Sequence, residues 1–119
     1  MKAIEIFERA LKLLSYIGED GSYDDSLNLK ALSIINAIYA DLYYLIYDEG
    51  FTPLQSLNEA PKLNDRIIND VFVYGVAMHL SLSVGDGLNH QVFTTIYNSK
   101  RCSVLKVDTR SDVIPSINA

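Results

Sequence analysis

The sequence of 119 residues has one cysteine, Cys102, and no tryptophan. A lone cysteine cannot form an internal disulfide, which excludes a disulfide-stapled fold and favours a reducing compartment. The chain also lacks a long apolar run at its start, where Glu5, Glu8, Arg9 and Lys12 interrupt the hydrophobic residues. The N-terminal residues are therefore not expected to form a secretory signal or a membrane span.

Basic residues are few and scattered. Ten lysines and arginines stand against fifteen aspartates and glutamates, which gives a formal net charge of -5. Proteins that grip nucleic acid through its phosphates need clustered cations, so the sequence argues against such binding but not against DNA that only slides past. The hydrophobic content of 49% and the charged content of 21% are those of one globular domain with its own core.

The N-terminal residues predict an amphipathic first helix. Glu5 with Arg9, and Glu8 with Lys12, are spaced as stabilising i,i+4 ion pairs, and Gly18 suits the position just past the helix end. The apolar residues at helical spacing are Ala3, Phe7, Ala10, Leu14 and Ile17.

A second helix is predicted over residues 26–48, with Asp24, Asp25 and Ser26 as candidate N-caps. It is apolar on more than one side, which is typical of the central helix of a domain. Residues 50–63 contain two prolines and interrupt the helical period, so we expect an ordered connecting loop with a strand or one short turn within it. Its apolar anchors are Phe51, Leu54, Leu57 and Leu63.

A third helix is predicted to start at an Asn64 cap, with Gly75 inside its apolar stripe, where it would let another backbone approach. That stripe consists of Ile67, Val71, Tyr74, Met78 and Leu82. A fourth helix is predicted over residues 89–105 with Asn89 as its cap. Its stripe consists of Val92, Phe93, Ile96 and Tyr97, and its C-terminal cations are Lys100, Arg101 and Lys106.

The predicted fold class is therefore all-α. Residues 1–106 form a small four-helix domain with an ordered proline-containing loop between helices two and three, and residues 107–119, which include Pro115, form an extended and flexible C-terminal tail.

The stretch "AMHLSLSVGDGLNHQVF" raises the question of a phosphate or metal site. A phosphate loop needs a preceding strand and a terminal Lys followed by Ser or Thr, and neither is present, so the stretch is interpreted as the bend of a helical hairpin. His79, His90, Asp86 and Cys102 lack the close ligand spacing that zinc sites use. The sequence therefore predicts no metal-binding residue.

Two further patterns are of the kind that can carry catalysis. Glu5 and Glu8 have the ExxE spacing of helical nucleotide pyrophosphohydrolases, but the sequence offers no second acidic pair, and a solvated face explains them. Cys102 lies in the basic stretch "SKRCSV", which could lower its pKa, yet no oxyanion loop accompanies it. The sequence predicts no catalytic residue, no cofactor and therefore no enzyme.

Eight tyrosines are present, and four of them fall in the second predicted helix. Tyrosine joins a large contact area to a polar tip and is enriched at protein interfaces. Tyr39 and Tyr43 are expected to line the core, whereas Tyr44 lies off both apolar stripes. The residues predicted for a possible subunit interface are Tyr44, Tyr47, Val113 and Ile114.

The order of elements resembles that of the small helical head-tail connector proteins, the head-completion adaptors of long-tailed phages and prophages of Gram-positive bacteria. The phrases that carry the resemblance are "ALKLLSYIGEDGSYDDSLNLKALSIINAIYADL", "FTPLQSL" and "INDVFVYGVAMHLSLSVGDGLNHQVFTTIYNSKR", which span residues 10–101. The resemblance implies a structural protein that forms a ring under the portal and joins capsid to tail. Its partners would be the portal protein and the next head-completion or tail protein.

The same resemblance implies that DNA passes through the ring without specific binding, that no membrane is involved, and that the protein resides in the host cytoplasm during assembly and then in the virion. It brings no catalytic residues. Two other functions remain open from the sequence: a helical interaction or regulatory module without catalysis, and a small metal-dependent nucleotide hydrolase that uses Glu5 and Glu8.

Overall fold

A computed structural model describes residues 1–104 and is helical with connecting loops, without a strand in that range. Helix α1 spans Ala3–Leu13, and a 3-10 turn, Asp25–Leu27, leads into α2, Asn28–Ile46. An α-helical turn, a π-helical segment and a longer α-helical segment follow one another without a break and together form α3; they are Asp65–Ile67, Ile68–Phe72 and Val73–Ser83. Helix α4 spans Gly87–Arg101. The all-α, four-helix prediction is confirmed, while Lys106, Val113, Ile114 and the predicted tail lie outside the described residues.

Helix α1 ends earlier than the sequence pattern indicated. Ser15, rather than Gly18, takes the left-handed conformation past the helix end, with φ of 62°. The amide of Ser15 donates to the Lys12 carbonyl (3.1 Å) and that of Tyr16 to the Leu11 carbonyl (2.9 Å), which is the Schellman arrangement. The choice of Gly18 was wrong because two hydrogen bonds compensate the strain of a serine at positive φ.

The two predicted ion pairs on α1 are not formed within the described part of the chain. Glu5 instead accepts a hydrogen bond from the Lys2 amide (2.9 Å) at the start of the helix. Arg9 donates to Oδ1 of Asn69 on α3 (2.6 Å), so the cation links two helices rather than stabilising one.

Helix α2 begins after Asp24, whose carboxylate accepts from the Ser26 amide (3.0 Å), as one of the predicted caps should. Its buried side chains are Ala31, Ile34, Ile35, Ile38, Tyr39, Leu42 and Ile46. Within residues 1–104, the stretch Asp25–Ile46 is long and apolar enough to cross a membrane by length and composition, with a hydropathy of 1.3. A core helix passes the same test, and here α2 contributes six of its seven buried side chains to the domain core.

The loop between α2 and α3 is held in place by hydrogen bonds as well as by apolar anchors. Asn36 on α2 accepts from the Leu54 amide (2.8 Å) and donates to the Leu54 carbonyl (2.9 Å), so one side chain satisfies both backbone groups of a buried loop residue. The loop carbonyls of Leu57 and Glu59 accept from the first amides of α1 (2.9 and 2.8 Å). The predicted ordered loop is confirmed, without the alternative strand.

Helix α3 has the predicted Asn64 cap, which accepts from the Ile67 amide (2.9 Å), but its buried face differs from the predicted stripe. Leu82, placed in that stripe, is 59% exposed. The π-helical segment changes the angular register of every later residue, and the segment that follows it, Val73–Ser83, has few polar residues and no single apolar face, so the stripe could not be fixed from its period. The buried residues of α3 are Ile68, Val71, Phe72, Val73, Gly75, Val76, Ala77, Leu80 and Ser81.

Gly75 does mark a close approach, although to side chains rather than to the backbone that was expected. A Cβ atom built on Gly75 would lie 2.6 Å from Cε1 of Tyr97 and 2.9 Å from Cγ2 of Ile38. Helices α2, α3 and α4 therefore meet at this glycine.

The stretch that raised the question of a phosphate site is the bend of a helical hairpin. Gly85 supplies a positive φ of 76°, and α4 starts directly after Asp86. The cap of α4 is Asp86, not Asn89 as predicted, because the Asp86 carboxylate accepts from the Asn89 amide (3.2 Å). Helix α4 buries Phe93 and Tyr97 and leaves Val92 at 45% exposure.

Candidate functional site

The C-terminal end of α2 carries a cluster of stacked and edge-to-face rings, which we call the aromatic end: Tyr43, Tyr44, Tyr47 and Phe51. The ring centroids of Tyr43 lie 4.7 Å from Tyr47, 5.7 Å from Tyr44 and 5.6 Å from Phe51. Tyr39 forms the buried base of the cluster, with 2% of its surface exposed, as the sequence indicated. Ring pairs at these separations add stabilisation beyond their buried area, so the rings of the aromatic end hold one another in place.

Tyr44 is the most outward member of the aromatic end, with half of its side chain exposed. Tyr47 is half-buried against Tyr43, which gives it a packing role within the chain as well as an outward edge. The other two residues of the predicted interface, Val113 and Ile114, lie outside the described residues.

A second uncovered surface surrounds the α3–α4 hairpin. Seven large hydrophobic side chains are exposed in residues 1–104, and four of them fall between positions 82 and 92. We call these four the turn end: Leu82, Val84, Leu88 and Val92. Sequence analysis missed this surface because it assigned Leu82 and Val92 to buried stripes; a leucine directly after the "GDG" turn was the available signal.

The two surfaces lie at opposite ends of the helical stack. Lys30 near the start of α2 donates to the Ser83 carbonyl at the end of α3 (3.2 Å), whereas Tyr39 packs against Phe72 (6.3 Å) further along. Helices α2 and α3 are therefore antiparallel. Leu29, which is 87% exposed, lies on the side of the turn end and about 22 Å along α2 from Tyr44.

A carboxylate fastens the hairpin to the segment after α1. Oδ2 of Asp86 accepts from the Tyr16 hydroxyl (2.6 Å) and from the Asn89 side-chain amide (2.7 Å). These bonds lower the pKa of Asp86, while burial and the hydrogen bond to Asp86 raise the pKa of Tyr16 to about 12. A negative charge thus already occupies the N-terminus of α4, so the bend is a poor cradle for phosphate.

Comparison of the chain with protein-family models, with curated proteins and with solved structures finds no match.

A second carboxylate fastens the opposite end of α4. Asp41 accepts from Nε and Nη2 of Arg101 (2.7 and 2.8 Å) and from the Tyr97 hydroxyl (2.6 Å). The hydrogen bonds from Arg101 and then Tyr97 lower the pKa of Asp41, and burial with the bond to Asp41 raises the pKa of Tyr97. Both carboxylate oxygens of Asp41 accept hydrogen bonds from α4, which makes this group a structural clamp between α2 and α4. Sequence analysis missed it, although Asp41 is the one acidic residue of α2.

The residues weighed for metal or nucleophilic chemistry are not brought together. Nδ1 of His90 lies 3.0 Å from the Met78 carbonyl, whereas Nδ1 of His79 is buried without a hydrogen-bond partner. Cys102 is exposed just after α4. In residues 1–104 no group of three or more His, Cys, Asp or Glu side chains could hold a metal ion. The remaining candidate site is thus the pair of uncovered end surfaces.

Proposed function

We propose that this chain is a structural protein of virion assembly, a head-tail connector whose copies form a ring under the portal and join capsid to tail. Support comes first from the sequence resemblance, which is carried by three phrases, residues 10–42, 51–57 and 68–101. The partners in this proposal are the portal protein and the next head-completion or tail protein.

The observation that carries the proposal is the position of the two uncovered surfaces. Each subunit of a closed ring contacts its two neighbours through two different patches, so a ring-forming chain needs unlike surfaces that face away from each other. The aromatic end, with Tyr44, and the turn end, with Leu88, meet that requirement because they lie at opposite ends of α2–α4.

The chemistry of the two surfaces also suits association. Leu88 is 77% exposed and Tyr44 50% exposed, and large apolar and aromatic side chains left exposed near others of their kind suit a contact with a partner. Tyrosine and leucine differ in one useful respect: tyrosine keeps its hydroxyl hydrated when the subunit is free and covers area when it is assembled. The surfaces are therefore compatible with a chain that is soluble before assembly.

Charge bears on the DNA that would pass through such a ring. The net charge of -5 repels phosphates on average, so a channel built from this chain would hold DNA weakly and let it move.

The decisive experiment deletes the gene from its parent genome, induces the phage and examines the lysate by electron microscopy. Filled or leaking heads beside separate, normal tails are the expected result. Normal infectious particles, or a parent genome without phage genes, would overturn the proposal and favour a helical interaction or regulatory module.

Complementation of the deletion tests the surfaces themselves. A Tyr44→Ser gene should restore fewer infectious particles than the wild-type gene, because it removes the most exposed ring of the aromatic end. Leu13→Ser is the matched control, since Leu13 is also exposed (40%) but lies on α1 beside Val73, away from both end surfaces.

A further inference from the structure

A groove of about 500 Å³ runs between the N-terminal part of α3 and the C-terminal part of α4. Three of its lining side chains are apolar: Ile67, Val71 and Val104. Arg66 and Lys100 contribute two positive charges to it, and Asp70 contributes one negative charge. An acidic protein thus presents a groove with apolar walls and a net positive charge.

The two cations remain available to a ligand. Nζ of Lys100 lies 4.7 Å from the centroid of the Tyr74 ring, a contact that holds the ammonium without neutralising it. Arg66 is exposed, and no salt bridge pairs it with a carboxylate in the part of the chain that the structure describes. The groove therefore suits a segment that combines a carboxylate with an apolar side chain.

The start of α2 is a segment of that kind. Residues 18–25 contain four acidic residues and no basic one. Leu29, 87% exposed, is the most exposed large hydrophobic residue among positions 1–104. Asp25 lies in the 3-10 turn that leads into α2 and precedes Leu29 by four residues, so an exposed carboxylate and an exposed leucine lie close together along the chain at the helix start.

We infer that the groove receives the start of α2 of a second copy of this chain, with Leu29 between the apolar walls and Asp25 facing Arg66 and Lys100. The groove lies at the end of the stack where Arg101 meets Asp41, and Leu29 lies at the end where Lys30 meets Ser83. The contact is therefore head-to-tail, the type that builds rings where its rotation closes and open filaments where it does not. That the contact builds the ring of a connector rests on the proposed function. The contact itself rests on the opposite charges of the groove and the start of α2, and on the apolar walls that would receive Leu29.

A charge exchange tests the contact with the full chain. Arg66→Glu places a negative charge opposite Asp25, and Asp25→Lys places a positive charge opposite Arg66, so each variant alone should lose self-association in sedimentation or light-scattering measurements at low salt. An equimolar mixture of the two variants should recover self-association. The lysine of the Asp25→Lys variant then faces the glutamate of the Arg66→Glu variant, and the unchanged Asp25 and Arg66 face each other at the next contact. Added salt should weaken the wild-type association.

Leu29→Ser should also lose association, whereas Leu13→Ser, an exposed leucine outside both partners of the contact, should retain it. Circular dichroism and the thermal midpoint of each variant check that its fold is intact. The inference would be overturned by a wild-type chain that stays monomeric at millimolar concentration. The same holds if the chain is monomeric because its own residues 105–119 cover the groove. Association that survives both charge reversals would overturn it too, because another surface would then be responsible.

The outcomes separate this inference from the proposed function. Recovered association in the mixture together with a deletion that leaves infectious particles would retain the contact and reject the connector. Separate heads and tails in the deletion, with a chain that does not self-associate through Arg66 and Asp25, would retain the connector and reject the contact.

Discussion

Replacing Gly75 with alanine should destabilise the domain by about 2 kcal/mol, although alanine is the better helix former. The new Cβ would lie 2.6 Å from Cε1 of Tyr97 and 2.9 Å from Cγ2 of Ile38. Carbon atoms in contact stay about 3.5–4.0 Å apart, so the ring would have to move by about 1 Å. Tyr97 cannot yield freely, because its hydroxyl donates to Asp41 over 2.6 Å.

The magnitude follows from two opposing terms. Overpacking a core costs about 1–3 kcal/mol, and a contact as short as this one belongs at the upper end of that range. The gain in helix propensity from glycine to alanine is about 1 kcal/mol. The net loss of about 2 kcal/mol corresponds to a fall of roughly 10 °C in Tm for a domain of this size.

Thermal and urea unfolding followed by circular dichroism would measure the loss. Gly87→Ala is the matched control: Gly87 lies in the first turn of α4, and a Cβ atom built on it would meet no packing neighbour from elsewhere in the chain within 4 Å. Its Tm should be unchanged or slightly higher. Tyr97→Leu should reduce the cost of Gly75→Ala by removing the opposing ring. A Gly75→Ala variant as stable as the Gly87→Ala variant would refute the close approach of the three helices.

Two further predictions concern the clamp and the loop. The pKa of Asp41 is lowered in the folded state by Arg101, so its contribution to stability is present at neutral pH and is lost as the pH falls below about 4. The difference in urea stability between wild type and Asp41→Asn should therefore shrink between about pH 6 and pH 2.5; a constant difference would contradict the clamp. Asn36→Ala should cost about 1–3 kcal/mol by unfolding in urea, because it leaves both backbone groups of Leu54 unpaired. Asn98→Ala, at an exposed position of α4, is its control, and equal losses in the two variants would argue against the role of Asn36.

Local signals predicted the elements of this fold well. Four apolar periods gave four helices, and short polar residues such as Asn64 and Asp24 marked two of the starts correctly. These signals work because a cap and its amide lie within three residues of each other, so no other part of the chain is needed to recognise them.

Long-range features could not be predicted from the sequence in the same way. Asp41 and Arg101 are 60 residues apart, and nothing local to either residue indicates the other. The buried face of α3 was misassigned because a π-helical segment and an all-round apolar composition remove the periodic signal. In the candidate interface, Tyr44 was predicted to lie off both apolar stripes and is half exposed, whereas the turn end was missed because Leu82 and Val92 were counted as core.

The loop between α2 and α3 has a consequence for how the protein tolerates change. Its carbonyls at Leu57 and Glu59 satisfy the amides of Ile4 and Ala3, two of the four amides that a helix start leaves unpaired. The beginning of α1 is thus completed by a segment more than fifty residues away, and the two cannot open independently. A protease nick or an insertion near residue 58, at a place where loops usually accept both, would release the N-terminal helix as well.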